Sequence, residues 1–287
     1  MVRVRRLHFS LILATVGRTD EVLKFLRSLE QQTLQSYQLI VVDQNQDDRI
    51  DRLLGRVNLG GDVLHLRSSP GLSLARNVGL THATGELIAF PDDDCWYPCG
   101  VLERVAQIMD QSGGRFHGVT GRSVDEQGRE SSGAFSREAG LVDEYDVWQK
   151  AISYTIFVRA EVCRAVGGFD EQLGVGAGSP FGSGEETDYL IRAMRAGFVL
   201  KYFPDLVIGH PWKESLLDAR AIRKAYDYGA GMGRVLTKHH YPLSFKLRSI
   251  VLPVLGAVSA VCKLDLPLAR QRVQRARGRF FGMVADA

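Results

Sequence analysis

Three consecutive carboxylates, Asp92, Asp93 and Asp94, follow the apolar run Leu87-Ile88-Ala89-Phe90 and precede Cys95-Trp96-Tyr97-Pro98. Like charges this close disfavour one another's ionisation unless something positive sits among them. Two readings of the triplet are open. One is a solvated acidic loop, the commoner fate of such clusters. The other is a site for a hard divalent cation, Mn²⁺ or Mg²⁺, which binds carboxylate oxygens and leaves positions for phosphate oxygens. The buried-strand pattern before the triplet and the aromatic residues after it favour the second. Glu185, Glu186 and Asp188 form another acidic group, at the start of a helical pattern. The helix dipole favours acids there in any case, so residue types alone make them helix-terminus charges. In "IGHPWKES" (208–215), His210 is either structural or a metal ligand, and an imidazole suits Mn²⁺ better than Mg²⁺.

The elements that must position these groups are legible as a pattern. "HFSLILATV" (8–16) is a short apolar run suited to a buried parallel strand, and "QLIVVD" (38–43), "DVLHLRS" (62–68) and "ELIAF" (86–90) are the second, third and fourth strands. Helical patterns lie between them. Val22, Phe25, Leu26 and Leu29 recur at helical spacing after Thr19-Asp20, "DRIDRLL" is a short helix, and "LSLARNVGLTHA" (72–83) is another. Pro98 opens a further helix with Val101, Leu102, Val105, Ile108 and Met109 on one face. Strand–helix alternation with short links predicts an α/β fold around a mostly parallel sheet flanked by helices. Ligands of such sheets bind beyond the carboxyl ends of the strands, where Asp43 and Asp92–Asp94 fall. Later strands are expected at 115–124, 152–158 and 198–203, with helices over 186–196 and roughly 213–238. A polar excursion occupies 125–146 and a glycine-rich loop 173–184.

The chain has 287 residues and a net charge of +3, too small to mark a nucleic-acid binder, and no nucleic-acid partner is expected. The charge is unevenly spread. Residues 245–287 hold eight Lys/Arg against two acids, a net of +6, which leaves −3 for the rest. Within that tail "IVLPVLGAVSAVC" (250–262) is apolar but thirteen residues long, short of the roughly 20 needed to span a bilayer. Two readings stand: an interfacial helix with a basic stretch that meets anionic lipid, or a packed C-terminal helix with solvated arginines. The four cysteines form no C-x-x-C pair and fit a reducing cytosol. The basic-then-apolar N-terminus is read as a first strand, not a signal peptide, because His8 and Ser10 interrupt it and no small-residue cleavage site follows.

Four segments carry a family resemblance: "FSLILATVGRTDEVLKFLRSLEQQTLQSYQLIVVDQNQDD", "GLSLARNVGLTHATGELIAFPDDDCWYP", "VGGFDEQLG" and "GEETDYLIRAMRAGF". Any one is weak; four in order between residue 9 and about 212 are strong. The sequence resembles family 2 of the inverting nucleotide-sugar glycosyltransferases. The resemblance implies a glycosyltransferase A fold, with a divalent metal on a DXD motif at the diphosphate of the donor. It implies that Asp94 binds the metal, that Asp93 contacts ribose or donor sugar, and that Asp43 accepts from the base N–H of uracil. Asp92 is an extra acid without a role. Thr15 lies where the family lines the nucleotide pocket. The family's Pro-Thr-Tyr-Asn-Arg pattern is altered to Ala14-Thr15-Val16-Gly17-Arg18, so the base-stacking aromatic is missing at 16 while Arg18 is kept at the donor site. Arg76, otherwise a helix-surface charge, matches a donor-site position. Glu186 stands where the family has its general base, usually an Asp, with Glu185 as the fallback and Asp188 and Arg192 bracing the helix. His210 falls where related enzymes supply a further metal ligand, and Lys213 is suited to neutralise the leaving diphosphate.

The expected protein is thus a catalytic domain over 7–212, with a nucleotide half to about 112 and an acceptor half from 113. A helical extension, 213–287, follows it. The expected reaction is a single inverting displacement from a nucleoside-diphosphate sugar, UDP-linked by preference, to a hydroxyl of a glycan or lipid-linked acceptor. The expected location is the cytoplasm, with residues 245–287 available to an anionic membrane surface on its inner face. The alternatives are a metal-dependent phosphohydrolase, for which no second His/Asp set stands out, and a non-catalytic sugar-nucleotide-binding protein.

Overall fold

In the computed structural model, which describes residues 8–212 and 217–285, each apolar run of the first half becomes a strand. The order is β1 (Phe9–Thr15), α1 (Asp20–Glu30), β2 (Tyr37–Asp43), α2 (Arg49–Leu54), β3 (Asp62–Arg67), α3 (Leu72–Leu80), β4 (Leu87–Ala89) and α4 (Val101–Gln111). Then come β5 (Gly118–Val124), β6 (Gly140–Leu141), α5 (Val147–Lys150), β7 (Phe157–Arg159), α6 (Ala160–Val166), α7 (Glu185–Arg195) and β8 (Leu200–Gly209). Three long helices, α8 (Ala219–Lys238), α9 (Leu243–Cys262) and α10 (Leu266–Val284), close the described chain.

The eight strands form one sheet in the order β3-β2-β1-β4-β7-β5-β8-β6. Four neighbouring pairs are parallel, and the antiparallel ones involve β7 and β6. This is the mixed α/β architecture expected from the alternating pattern, with helices flanking a mostly parallel sheet. Every residue of β1 is buried, as a central strand covered on both faces requires. The inner face of α1, including Val22, Phe25, Leu26 and Leu29, joins the same core as Leu11, Leu13 and Val41. Two elements differ from the pattern reading. Residues 152–158 split into a 3₁₀ turn at Ser153–Thr155 and the short β7. The strand expected at 198–203 continues to Gly209, past Pro204 and a register shift opposite Thr120–Arg122. Pro204 is tolerated because the ladder is already interrupted there.

Two compact units emerge from the chain, one built from Met1–Pro70, Leu74–Gly168 and Tyr189–Lys213, the other from Gly71–Ser73, Phe169–Asp188 and Glu214–Ala287. The sheet lies wholly in the first. The second groups the glycine-rich segment and the first turn of α7 with the three long helices.

Within the second unit, α8 and α10 meet backbone to backbone. A Cβ on Gly229 or Gly233 would lie 2.4 or 2.1 Å from the carbonyl oxygens of Arg275 or Arg279, and one on Gly278 or Gly282 as close to those of Tyr226 or Ala230. Small residues four apart on each helix permit that approach. Helix α9 packs on its neighbours through Ser249, Ala257 and Ala260, while Leu247, Val251, Leu252, Val254, Leu255 and Val258 are exposed. It runs 20 residues, from Leu243, not the thirteen of the apolar run, and so is long and apolar enough to cross a membrane by length and composition.

Candidate active site

The acid triplet is held between two strand ends. On one side an isolated parallel bridge pairs Ala14 with Asp92, so the next residues, Thr15 and Asp93, face one another and the Thr15 hydroxyl donates to Asp93 Oδ2 at 2.8 Å. On the other side Trp96 and Gly209 form an antiparallel bridge, with both amides donating across it at 2.9 Å. That bridge brings His210 to Asp94, with Nε2 3.3 Å from Oδ1. Gly209 is required by the crossing, since a Cβ there would sit 1.9 Å from the Trp96 indole. Gly209→Ala is therefore expected to displace Trp96, lower stability by about 1–3 kcal/mol as overpacking does, and weaken donor binding. Thermal unfolding together with tryptophan fluorescence checks this.

Each aspartate has its own cationic or hydroxyl partners. Asp92 accepts from Arg76 Nη2 at 2.9 Å and from the Ser153 hydroxyl at 3.0 Å. Arg76 is fully buried, not a surface charge on α3, and it orders the triplet through Asp92. Arg18 Nη1 bridges the other two, 2.8 Å from Asp93 Oδ1 and 2.6 Å from Asp94 Oδ2. Desolvation pushes the Asp93 carboxyl up to about 6, against the opposing pull of Arg18 and Thr15. Burial lowers the Arg18 pKa but the fields of Asp93 and Asp94 outweigh it, so the guanidinium stays charged. The electrostatic liability of three adjacent acids is thus met by two arginines on either side of them.

His210 is fixed from three directions. Its ring stacks on Tyr154, with centroids 4.9 Å apart and planes 10° from parallel. Its Nδ1 lies 2.9 Å from the Ser132 hydroxyl and 3.0 Å from the Pro211 carbonyl. Ser132 has φ of +64°, a left-handed conformation uncommon outside glycine. Two tautomers fit these partners: Nε2–H can donate to Asp94 while Nδ1 accepts from Ser132, or Nδ1–H can donate to the Pro211 carbonyl and leave the Nε2 lone pair facing Asp94. In the second tautomer two acceptors face each other at 3.3 Å, the arrangement that a cation between them would satisfy. Among the described residues no group of three or more His, Cys, Asp or Glu side chains could hold a metal. The two donors Asp94 and His210 fit a site that substrate phosphate and water complete, as Mn²⁺ and Mg²⁺ allow.

At the end of β2, Asp43 lies beside Thr15 on one side and Arg67 on the other in the strand registers. Its fully buried carboxylate accepts from the Asn45 amide and side chain at 2.8 and 2.7 Å, and from His65 Nε2 and Arg67 Nη1 at 3.2 and 3.0 Å. Sequence reading missed these partners. Asn45, two residues on in the same loop, also accepts from the Gly17 amide at 2.7 Å and so ties the ends of β1 and β2 together. Val16, where the family pattern carries an aromatic, is exposed. Lys213 lies outside the described residues.

In the second unit, Glu185 is buried and Glu186, at the next position of α7, is partly exposed. Gly174, at φ +100°, comes close enough that a Cβ would lie 3.1 Å from Glu185 Oε2. Asp188 is fully buried and paired with His239 Nε2 and Lys238 Nζ, both at 2.8 Å, while Lys238 also reaches Asp170 at 2.6 Å. Those contacts tie Asp188 to the end of α8. Arg192 donates to the Val166 and Gly168 carbonyls at 2.9 and 2.8 Å. Both residues thus brace α7.

The sequence model of Glycosyl transferase family 2 matches residues 10–153, half of the chain, and the protein belongs to that family. Among curated proteins, the pre-mycofactocin glycosyltransferase of Mycobacterium tuberculosis is 30% identical over 187 residues, 62% of this chain and 37% of its own length. The chain therefore spans little more than a third of that relative. Glycosyltransferase AglE of Haloferax volcanii is 23% identical over 233 residues, 79% of this chain and 73% of its own. Two solved structures share the fold. S. aureus TarS 1-349 in complex with UDP-GlcNAc has a TM-score of 0.62 at 17% identity, covering 94% of this chain and 91% of that one. Mannosyltransferase PcManGT from Pyrobaculum calidifontis, in complex with GDP-Man and Mn²⁺, has a TM-score of 0.64 at 14% identity, covering 96% and 88%.

Proposed function

We propose that this glycosyltransferase moves a sugar, with inversion, from a UDP-sugar to a hydroxyl of a glycan or lipid-linked acceptor. The observation that carries the reading is the convergence of Asp93, Asp94 and His210 at the carboxyl ends of β1 and β8. Asp94 and His210 would hold Mn²⁺ or Mg²⁺, which when bound neutralises charge on the departing diphosphate. Asp93, steadied by Thr15, is suited to accept from the ribose or donor-sugar hydroxyls. The base would lie over the Asp43 cluster, whose carboxylate reaches a uracil N–H if one of its four donors gives way. Glu186 takes the proton from the acceptor hydroxyl as that oxygen attacks the anomeric carbon. Its partial exposure supports it over the enclosed Glu185. Calorimetry against UDP-, GDP- and dTDP-sugars tests the donor. UDP-sugars should bind, and about tenfold or more tighter with Mn²⁺; binding of none, or equal binding without metal, contradicts the reading.

We infer that the second unit works at an anionic membrane surface, a reading that the exposed faces of α9 and α10 support. Along α10 the exposed residues include the apolar Leu266, Val273, Phe280 and Val284 and the basic Arg270 and Arg277, and α9 exposes a Leu/Val face of its own. Lys246 and Arg248 in the first turns of α9, and its packed face, favour lying in the interface over spanning. With Leu247, Leu255 and Val258 changed together to Asp, co-sedimentation with phosphatidylglycerol vesicles should fall about tenfold or more while donor binding persists. Unchanged sedimentation removes α9 as the anchor.

A further inference from the structure

We propose that Arg18 is a built-in counter-cation of the metal site: it occupies Asp93 and Asp94 when no divalent ion is bound, yields to that ion, and then pairs with the donor's phosphates. The inference deepens the proposed function and rests on its reading of Asp94 as a metal ligand.

A single nitrogen, Nη1, contacts both carboxylates, at 2.8 and 2.6 Å. A divalent ion between Asp94 Oδ1 and His210 Nε2 would share the Asp94 carboxylate with Arg18, which holds its other oxygen, Oδ2, and two cations on one carboxylate repel strongly at that range. Arginine and ion are therefore competitors.

The two arginines of the site differ in how free they are to move. The Arg76 side chain is 1% exposed and enclosed with Asp92, whereas that of Arg18 is 31% exposed. Arg18 also follows Gly17, whose backbone is held in a turn at φ +72° by its bond to Asn45. The anchor of the arm is fixed while its long side chain reaches solvent. Charge bookkeeping gives the same direction. Arg18 leaves the Asp93–Asp94 pair one net negative charge; a divalent ion reverses that sign, and an arriving diphosphate restores negative charge nearby. A displaced guanidinium then has phosphate oxygens to fork onto, the geometry it favours.

The test is calorimetry on the full chain in two steps. First, Mn²⁺ is titrated without donor into the wild type and into Arg18→Gln. Removing the competing charge should tighten Mn²⁺ by roughly tenfold or more. Second, UDP is titrated at saturating Mn²⁺, where Arg18→Gln should bind it severalfold more weakly and Arg18→Lys should recover part of the loss. A purely structural Arg18 would weaken both ligands. Equal or weaker Mn²⁺ binding by Arg18→Gln overturns the competition, and unchanged UDP binding overturns the second role. The double variant Arg18→Gln/Asp94→Asn separates the underlying reading: it should lose the tightened Mn²⁺ binding. Retained binding there means the ion is not on Asp94, and the metal-site reading itself falls.

Discussion

Asp94→Asn is expected to lower sugar transfer by on the order of 10³-fold while leaving the protein folded. The amide keeps the volume of the carboxylate but not its charge. It can accept from Arg18 or lie against His210, so the packing around a nearly enclosed residue survives. What is lost is the anionic half of the proposed two-donor site. With His210 alone, affinity for a hard cation drops, because an imidazole without a carboxylate is a poor ligand for Mg²⁺ and a modest one for Mn²⁺. The loss should appear in both kcat and Mn²⁺ affinity, with the melting temperature close to that of the wild type. Asp92→Asn offers the contrast. Asp92 pairs with the buried Arg76, so its substitution should lower stability more than it changes metal affinity. Steady-state kinetics at several Mn²⁺ concentrations, with circular dichroism melts, distinguishes the two variants. Near-normal turnover in Asp94→Asn sinks the metal-site assignment.

The second large effect concerns the base. Glu186→Gln is expected to reduce kcat by about 10²–10⁴-fold, the range of general-base contributions, with little change in the donor KM. Gln fills the same space and offers no basic oxygen. Glu185→Gln should act differently. Its carboxylate is buried against the Gly174 segment, so loss of its charge should disturb that segment and raise the acceptor KM more than it lowers kcat. If the two variants exchange behaviours, the base is Glu185. If neither lowers kcat, proton removal belongs to another group.

Much of the fold was legible because buried parallel strands write themselves as apolar runs. β1, β2 and β4 appear within a residue or two of their patterns. β8 was less legible. Its second half carries Pro204 and Asp205, which interrupt the apolar signal, yet that half delivers Gly209 and His210. β6 is two residues inside a polar stretch and has no periodicity to read. At the site, residue types and strand ends pointed to Asp43 and to the triplet Asp92–Asp94, and the family resemblance singled out Asp94 and Asp93, but neither showed what holds them. Arg76 reaches Asp92 from 16 positions away, and Thr15 reaches Asp93 from 78. The Thr15 pairing is set by strand register and the Arg76 pairing by how α3 packs, neither of which one sequence spells out. The Trp96–Gly209 contact had one faint signal, a glycine ending a strand, but which ring lies over it is a tertiary matter. Nor does composition distinguish an apolar helix packed inside from one whose Leu/Val face is outward, as in α9.

The most direct measurement is proton NMR of the first-formed products when the protein is given its UDP-sugar, with acceptor or with water alone. The account predicts release of UDP and a product whose anomeric configuration is opposite to that of the donor. A product of retained configuration contradicts the single displacement at Glu186. Release of UMP and sugar phosphate contradicts sugar transfer altogether and identifies a phosphohydrolase.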